Sequence, residues 1–339
     1  MALYGGLDLH GDNVYVGLMD AAFNRVFERR LPNSMPVILE ALEPYRERLA
    51  GLVVESTYNW YWLVDGLQAQ GYPAKLANPA RMKENIGLKH ANDRTDAFFL
   101  AKQEAMGVLP QAYVYPKEER PVRDLLRRRM RLVRARTAEW LSLESLVARH
   151  SGKGLGIQAL SHLEEGELST LLGGERLVME AAQISYRHIA FLDREIAQME
   201  KSVEGRVKLL PEYERLMTVP GIGRILTMAI MLETGPIGRF AGPGNYASYC
   251  RAVKAEHTSN ERKKGEGNRK NGNRYLAWAY VEAATYAVRY SPELRKWYQR
   301  KAARTNRAVA IKALANKLAK ACFFILRDGV AFDVKKLVG

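Results

Sequence analysis

Residues 1–30, MALYGGLDLHGDNVYVGLMDAAFNRVFERR, decide how the fold is read. Leu3–Leu9, Val14–Met19 and Arg25–Arg30 are short runs, parted by Gly11-Asp12-Asn13 and by Asp20 to Asn24. Short apolar runs between turn residues predict an antiparallel meander of three strands. Within the first run, Asp8 stands between Leu7 and Leu9, so it faces away from both leucines.

Outward from this stretch, Pro36–Leu49 has apolar residues at helical spacing with Ser34 at its N-cap. Residues 51–55, GLVVE, form a continuous apolar run, as a buried parallel strand requires. Tyr58–Gln70 reads as a helix, Pro73–Ala77 as a strand and Asp93–Met106 as a helix. Three antiparallel strands followed by strand–helix alternation is the element order of the ribonuclease H fold. That order sets the first and fourth strands side by side and makes Asp8 and Glu55 neighbours.

Asp93 and Asp96 are three apart at the start of a helix and share a face. Alone they read as ordinary acids at a helix N-terminus. Gathered with Asp8 and Glu55 they make a crowd of negative charge that only a cation relieves. Hard oxygen donors suit Mg²⁺ or Mn²⁺.

The middle of the chain changes character. Pro121 opens a long helix running to about His150, with Leu126, Met130, Val133, Trp140 and Val147 approximating a heptad seam. A second long helix, about Leu177–Val207, carries Ile189, Leu192, Ile196, Met199 and Val203 at coiled-coil spacing. The first holds seven arginines within residues 123–136 against one acid, Asp124. Arg123, Arg127, Arg128, Arg131 and Arg134 are its candidate contacts to a phosphate backbone. After Leu209 the pattern is mostly short helices, among them Tyr275–Tyr290, Glu293–Ala303 and Arg307–Arg327.

Charge divides the chain in the same way. Residues 1–110 hold 11 Lys/Arg and 13 Asp/Glu, whereas residues 111–339 hold 41 and 24. The whole excess of the net +15 lies behind the first third, which points to a polyanionic partner. With 47% hydrophobic residues the chain has material for a core. Two cysteines, Cys250 and Cys322, make neither a disulfide scaffold nor a zinc spacing. The longest apolar run, Ile225 to Leu232, is too short to span a bilayer, and the first residues lack the apolar stretch of a signal peptide. The expectation is a soluble, cytoplasmic, nucleoid-associated protein with no membrane partner.

Two segments of the last third invite chemistry. Residues 219–223, VPGIG, read either as the hairpin of a helix-hairpin-helix motif, with Gly221 and Gly223 bringing backbone N–H groups to a phosphate, or as a plain turn. Residues 251–274 carry eight Lys/Arg, three Glu and four Asn, a long loop unable to build a core. Ser259 is its only serine, with Arg262, Lys263 and Lys264 just after it and Arg269, Lys270 and Arg274 further on. A serine beside cations can attack a phosphodiester. Composition alone favours a solvated basic loop with an incidental serine.

Taken together, residues 6–10 (GLDLH), 53–56 (VVES), the Asn-Asp93-x-x-Asp96-Ala string, VPGIG and the TSN…KKGEGNRKNGNRYLAWA string resemble the DEDD-type insertion-sequence transposases, the bridge-RNA-guided recombinases. The resemblance covers essentially the whole chain. It implies a RuvC-like domain over residues 1–110 with Asp8, Glu55, Asp93 and Asp96 as divalent-metal ligands. It implies a coiled-coil arm over 111–208 and a mostly helical transposase domain over 209–339. Ser259 is then the nucleophile of a covalent phosphoserine link to DNA. Asn260 and Glu261 follow it where many members have a glycine, and Thr258 is the adjacent hydroxyl. A structured guide RNA would pair with target and donor DNA, and the protein would work as a homo-oligomer, a dimer or tetramer. The rival readings are a RuvC-like hydrolytic nuclease or junction resolvase, and a non-catalytic nucleic-acid-binding scaffold.

Overall fold

In the computed structural model, residues 1–82, 92–254, 257–259, 262–265 and 271–338 are described. The chain divides into two units: Met1–Lys117 with Glu256–Asn271, and Glu118–Ala255 with Gly272–Gly339.

The first unit is built on strands β1 (Leu3–Leu9), β2 (Asn13–Asp20), β3 (Arg25–Pro32), β4 (Leu49–Glu55) and β5 (Ala74–Ala77). They form one sheet in the order β3-β2-β1-β4-β5. The first three make the expected antiparallel meander, and β4 lies parallel to both β1 and β5. β3 sits at the edge, and its exposed Arg25, Glu28, Arg29 and Arg30 keep that edge charged. β4 is an interior, buried strand between β1 and β5, which is why it reads as a continuous apolar run.

Side chains alternate across each strand, so the sheet has two distinct faces. Leu7, Leu9, Leu52 and Val54 point to a core shared with α1 (Met35–Leu42) and α2 (Tyr61–Ala69). The opposite face, with Gly6, Asp8, Val53 and Glu55, belongs to α3 (Asp93–Ala105), whose Leu100 packs against Val53 and Ala77. The sequence reading ran the first helix to Leu49. The helix ends at Leu42, and a 3₁₀ turn, Glu43–Arg48, follows. Pro44 lacks the N–H that another α-helical turn needs. The second helix starts at Tyr61 rather than Tyr58.

The second unit opens with α4 (Arg120–Ser151) and, after the short α5 (Ile157–Leu160) and α6 (Glu165–Leu171), returns along α7 (Arg176–Val207). The two long helices are antiparallel: Arg129 pairs with Glu200, Arg136 with Asp193, and Glu139 with His188. Gly152 ends α4 in a left-handed conformation (φ 69°), and Leu160, Leu168 and Leu172 close a small core with Leu143 and Val147.

The remaining helices are α8 (Pro211–Met217), α9 (Arg224–Thr234), α10 (Pro243–Tyr249), α11 (Arg274–Tyr290), α12 (Pro292–Arg304), α13 (Arg307–Asp328) and α14 (Val334–Val338). Alanines 279, 283 and 287 of α11 let it approach its neighbours closely in a core that also holds Leu314, Leu318 and Phe323. Both cysteines are free and buried there. Residues 251–274, read as one long loop, contain a strand pair instead: β6 (His257–Ser259) runs antiparallel to β7 (Arg262–Gly265).

Candidate active site

Four carboxylates converge on the α3 face of the sheet. Asp8 shares that face with Gly6 because they are two residues apart in β1. Parallel pairing of Leu7 with Val54 sets Asp8 next to Glu55 at the C-terminal end of both strands. Gly6 then decides where the helix lies. A Cβ there would sit 1.8 Å from the Ala97 carbonyl oxygen, so the helix backbone rests directly on the strand. Asp93 is one helical turn before Ala97, about 6 Å along the axis. That matches the roughly 6.6 Å from Gly6 to Asp8. The helix start is fixed by a capping box: Asn92 Oδ1 accepts from the Thr95 N–H at 2.9 Å, and Thr95 Oγ1 accepts from the Asn92 N–H at 2.9 Å.

His10 joins the group one residue beyond β1. Its Nε2 lies 3.2 Å from Asp8 Oδ2 and 3.3 Å from Asp93 Oδ1. The His10 carbonyl accepts the side-chain amides of Asn59 (2.8 Å) and Asn33 (3.1 Å), which holds this corner in place. Arg30, from the edge strand, donates to Asp93 Oδ2 at 2.5 Å. Burial raises the Asp8 pKa, and the negative Asp96 and Asp93 push it the same way, while His10 opposes them. Glu55 is raised by burial, then by Asp8 and Asp96. Asp96 is raised by burial and by Asp93. Each shift records the electrostatic strain of gathering like charges out of water.

The basic segment around Ser259 is a hairpin whose backbone pairs Ser259 with Arg262 and Thr258 with Lys263, with Lys264 further along β7. Arg269 and Lys270 lie outside the described residues. At the C-terminal root, the Asn273 N–H donates to the Tyr249 carbonyl at 2.6 Å, and Arg251 Nε donates to the Gly272 carbonyl at 3.1 Å. Arg274 is exposed at the start of α11, its guanidinium against the Tyr275 ring.

Of the arginines on α4, Arg128, Arg131 and Arg134 are exposed. Arg123 and Arg127, two of the candidate phosphate contacts, are placed differently. Arg123 is buried in the packing. Arg127 makes a bidentate pair with the buried Glu233 at 2.6 and 2.7 Å. In the 219–223 turn, Gly221 has φ +85°, and a Cβ there would lie 2.3 Å from the Ala283 carbonyl oxygen. Its glycine is thus required by packing on α11. Gly223, the N-cap residue of α9, has open space around its Cα.

Comparison with known proteins covers both segments. A family model described as "Transposase IS116/IS110/IS902 family" matches residues 213–299, and the IS110-type DEDD transposase model matches residues 5–151. The chain belongs to the IS110/IS116 transposase family. The four acids of this transposase fall inside the second match, and Ser259 inside the first. A probable family 20 transposase of Pseudomonas aeruginosa is 27% identical over 78% of this chain and 80% of its own length. The transposase for insertion sequence element IS1111A of Coxiella burnetii is 24% identical over 79% and 74%. That for IS1328 of Yersinia enterocolitica is 24% identical over 97% and 98%.

The donor set of the transposase is compatible with a divalent cation. Ligand atoms of Asp8, His10 and Asp93 all lie within 4.8 Å of one another. His10 Nε2 is shielded from water and has no aligned hydrogen-bond partner among the described residues, an orphaned donor or acceptor facing carboxylates. His10 and Arg30 were missed in the sequence. His10 carried a usable signal, since a residue two positions from Asp8 along a strand direction returns to the same face. Arg30 carried none, because its link to Asp93 spans 63 residues. Among the described residues no helix is long and apolar enough to cross a membrane.

Proposed function

We propose that this IS110-family transposase cuts and rejoins DNA strands through a covalent phosphoserine intermediate on Ser259, with a RuvC-like site of Asp8, Glu55, Asp93 and Asp96 on the first unit. The observation that supports it best is the crowding of those carboxylates, three of them raised in pKa, against one sheet face.

Asp8, Glu55, Asp93 and Asp96 would hold Mg²⁺ or Mn²⁺. When bound, such ions neutralise phosphate charge and stabilise attacking and leaving oxygens. The chain's own residues do the rest. Arg30 and the Asn92 cap orient Asp93, and burial of Asp8 under α3, on the sheet face opposite Leu7 and Leu9, excludes bulk water from one side of the carboxylates. Ser259 Oγ forms a bond to phosphorus as the phosphorus–oxygen bond to the departing strand breaks. The serine proton passes to solvent, and the departing oxygen gains one. A second strand end later reverses the exchange. One ester replaces another, so the cycle has no need of ATP. Arg262, Lys263 and Lys264 lie next to Ser259 in sequence and would balance the charge that grows on phosphorus.

A structured guide RNA is the further partner in this reading, held by Arg128, Arg131 and Arg134 on α4, and the protein works as a homo-oligomer through coiled-coil contacts of its two long helices. The deciding experiment is denaturing electrophoresis of the protein with end-labelled element DNA and Mg²⁺. Wild type is expected to leave a labelled protein–DNA adduct, and Ser259→Ala to leave none while still retaining DNA. An adduct from Ser259→Ala moves the nucleophile to another hydroxyl such as Thr258. Cleavage by wild type without any adduct makes the protein a hydrolytic nuclease.

A further inference from the structure

Residues 289–312 hold eight Lys/Arg against one acid, Glu293, in a part of the chain to which the reading above gives no task. None of the eight meets a carboxylate among the described residues. The arginines of α4 behave differently, since Arg127, Arg129 and Arg136 each have an acidic partner. Glu293 itself is engaged locally, accepting from Ser291 Oγ at 2.9 Å at the start of α12. A run of cations left without counter-charges repels itself unless an external anion is present.

The geometry of α12 spreads these charges along one line. Leu294 is buried and Trp297 packs on the core of the second unit, so that side of the helix is turned inward. Lys296, Arg300 and Arg304, spaced at i, i+4 and i+8, are exposed on an outward stripe, about 6 Å apart along the axis. Arg307 continues the charge at the start of α13.

Immediately before α12 stands an aromatic platform. Tyr286 and Tyr290, one turn apart at the end of α11, stack with ring centroids 6.2 Å apart and planes within 9°. Tyr290 is 66% exposed and Tyr286 41%. The Arg289 guanidinium lies 5.8 Å from the Tyr286 centroid. Exposed parallel rings beside cations are poorly suited to an acidic protein surface or to an intact duplex, whose base faces are covered by their neighbours. They suit unpaired bases, which stack on aromatic faces while the backbone follows the cations.

We propose that the Tyr286/Tyr290 platform and the Lys296/Arg300/Arg304 stripe form a docking surface for a single-stranded stretch of DNA. This rests on the reading of the chain as a strand-exchanging transposase, in which bases leave the duplex when strands part. The site takes the unpaired segment by stacking and by phosphate contact, without reading its sequence.

The test is fluorescence anisotropy on the full-length protein with a labelled oligothymidine of about 12 nucleotides. Duplex DNA and oligouridine of the same length serve as the other arms. Tyr286→Ala with Tyr290→Ala is expected to weaken single-strand binding about tenfold or more while leaving duplex affinity and the salt slope unchanged. Lys296→Gln, Arg300→Gln and Arg304→Gln together should make the single-strand salt slope shallower by about 2. Tyr290→Trp, which keeps a stacking face, should retain binding even if the alanine pair proves unstable. Equal losses on duplex and single strand, or unchanged single-strand binding in both variant sets, overturn the proposal. So does tighter binding of oligouridine that depends on the same tyrosines, which would make the occupant RNA. No arm requires cleavage, so loss of the Ser259 adduct with intact strand binding refutes the catalytic reading alone.

Discussion

Asp8 is a buried carboxyl with Asp93 and Asp96 close enough to raise its pKa and with His10 opposing them. A carboxyl whose folded pKa lies above its unfolded value holds its proton more tightly in the folded state. Its ionisation therefore costs stability above the folded pKa, and that cost disappears as the pH falls through it. Asp8→Asn removes the charge at nearly constant volume. In metal-free buffer at neutral pH it should raise the melting temperature by about 2–4 °C, equivalent to ~1 kcal/mol. The same variant should lose strand cleavage and most of the stabilisation that Mg²⁺ brings to wild type. Thermal unfolding with and without the ion, beside a cleavage assay, checks all three. Cleavage at the wild-type rate by Asp8→Asn would remove Asp8 from the site.

At the scale of elements, the position of α3 against β1 sets the spacing between the carboxylates. Gly6→Ala puts a methyl group where the Ala97 carbonyl already is, so the helix must shift. Overpacking of this kind costs typically 1–3 kcal/mol. Urea unfolding should show that loss, and cleavage should fall further than stability explains, because Asp93 and Asp96 travel with the helix. A second contact joins α4, α9 and the start of α11. Glu233 is buried, bound bidentately by Arg127, and accepts from Asn273 Nδ2 at 2.7 Å. The same Asn273 caps α11 through the Tyr275 and Leu276 N–H groups. Removing Arg127 alone strands the buried Glu233 carboxylate, at about 3–5 kcal/mol. Arg127→Met should thus be strongly destabilising in denaturant unfolding. Arg127→Met combined with Glu233→Leu should recover a large part of the loss. Recovery by the pair would show that Arg127 serves packing rather than phosphate.

For the whole molecule, the net charge of +15 predicts nucleic-acid binding that weakens steeply with salt. The contribution of the exposed face of α4 can be separated from the rest. Arg128→Gln, Arg131→Gln and Arg134→Gln together should reduce the slope of log K against log salt by about 3 on duplex nucleic acid. An unchanged slope would make that face merely solvated. The proposed oligomeric mechanism has its own signature. Asp8→Asn and Ser259→Ala chains, each expected to be inactive alone, should then restore part of the strand-exchange activity when mixed, because on that reading the acidic site of one chain serves the serine of another. No recovery in a mixture shown to co-assemble would confine both sites to one chain.

Local patterns determined much of this protein in advance. Short runs parted by turn residues in residues 3–30 and the apolar run of residues 51–55 led to the observed meander and parallel strand, because burial and chain reversal write themselves directly into residue order. The alternation of side chains along a strand singled out Asp8. Heptad spacing likewise marked the two long helices, whose facing residues recur every three to four positions. Contacts between residues far apart in the chain left no such trace. Arg30 reaches Asp93, Arg127 reaches Glu233 across 106 residues, and Gly221 owes its identity to the backbone of α11. The hairpin at Ser259 also escaped, since its composition of Arg, Lys, Asn and Gly has no hydrophobic period to read. Residue order shows which face of an element prefers to be buried. Only the tertiary structure decides which charge meets which, because that choice is made by packing between elements with no common period.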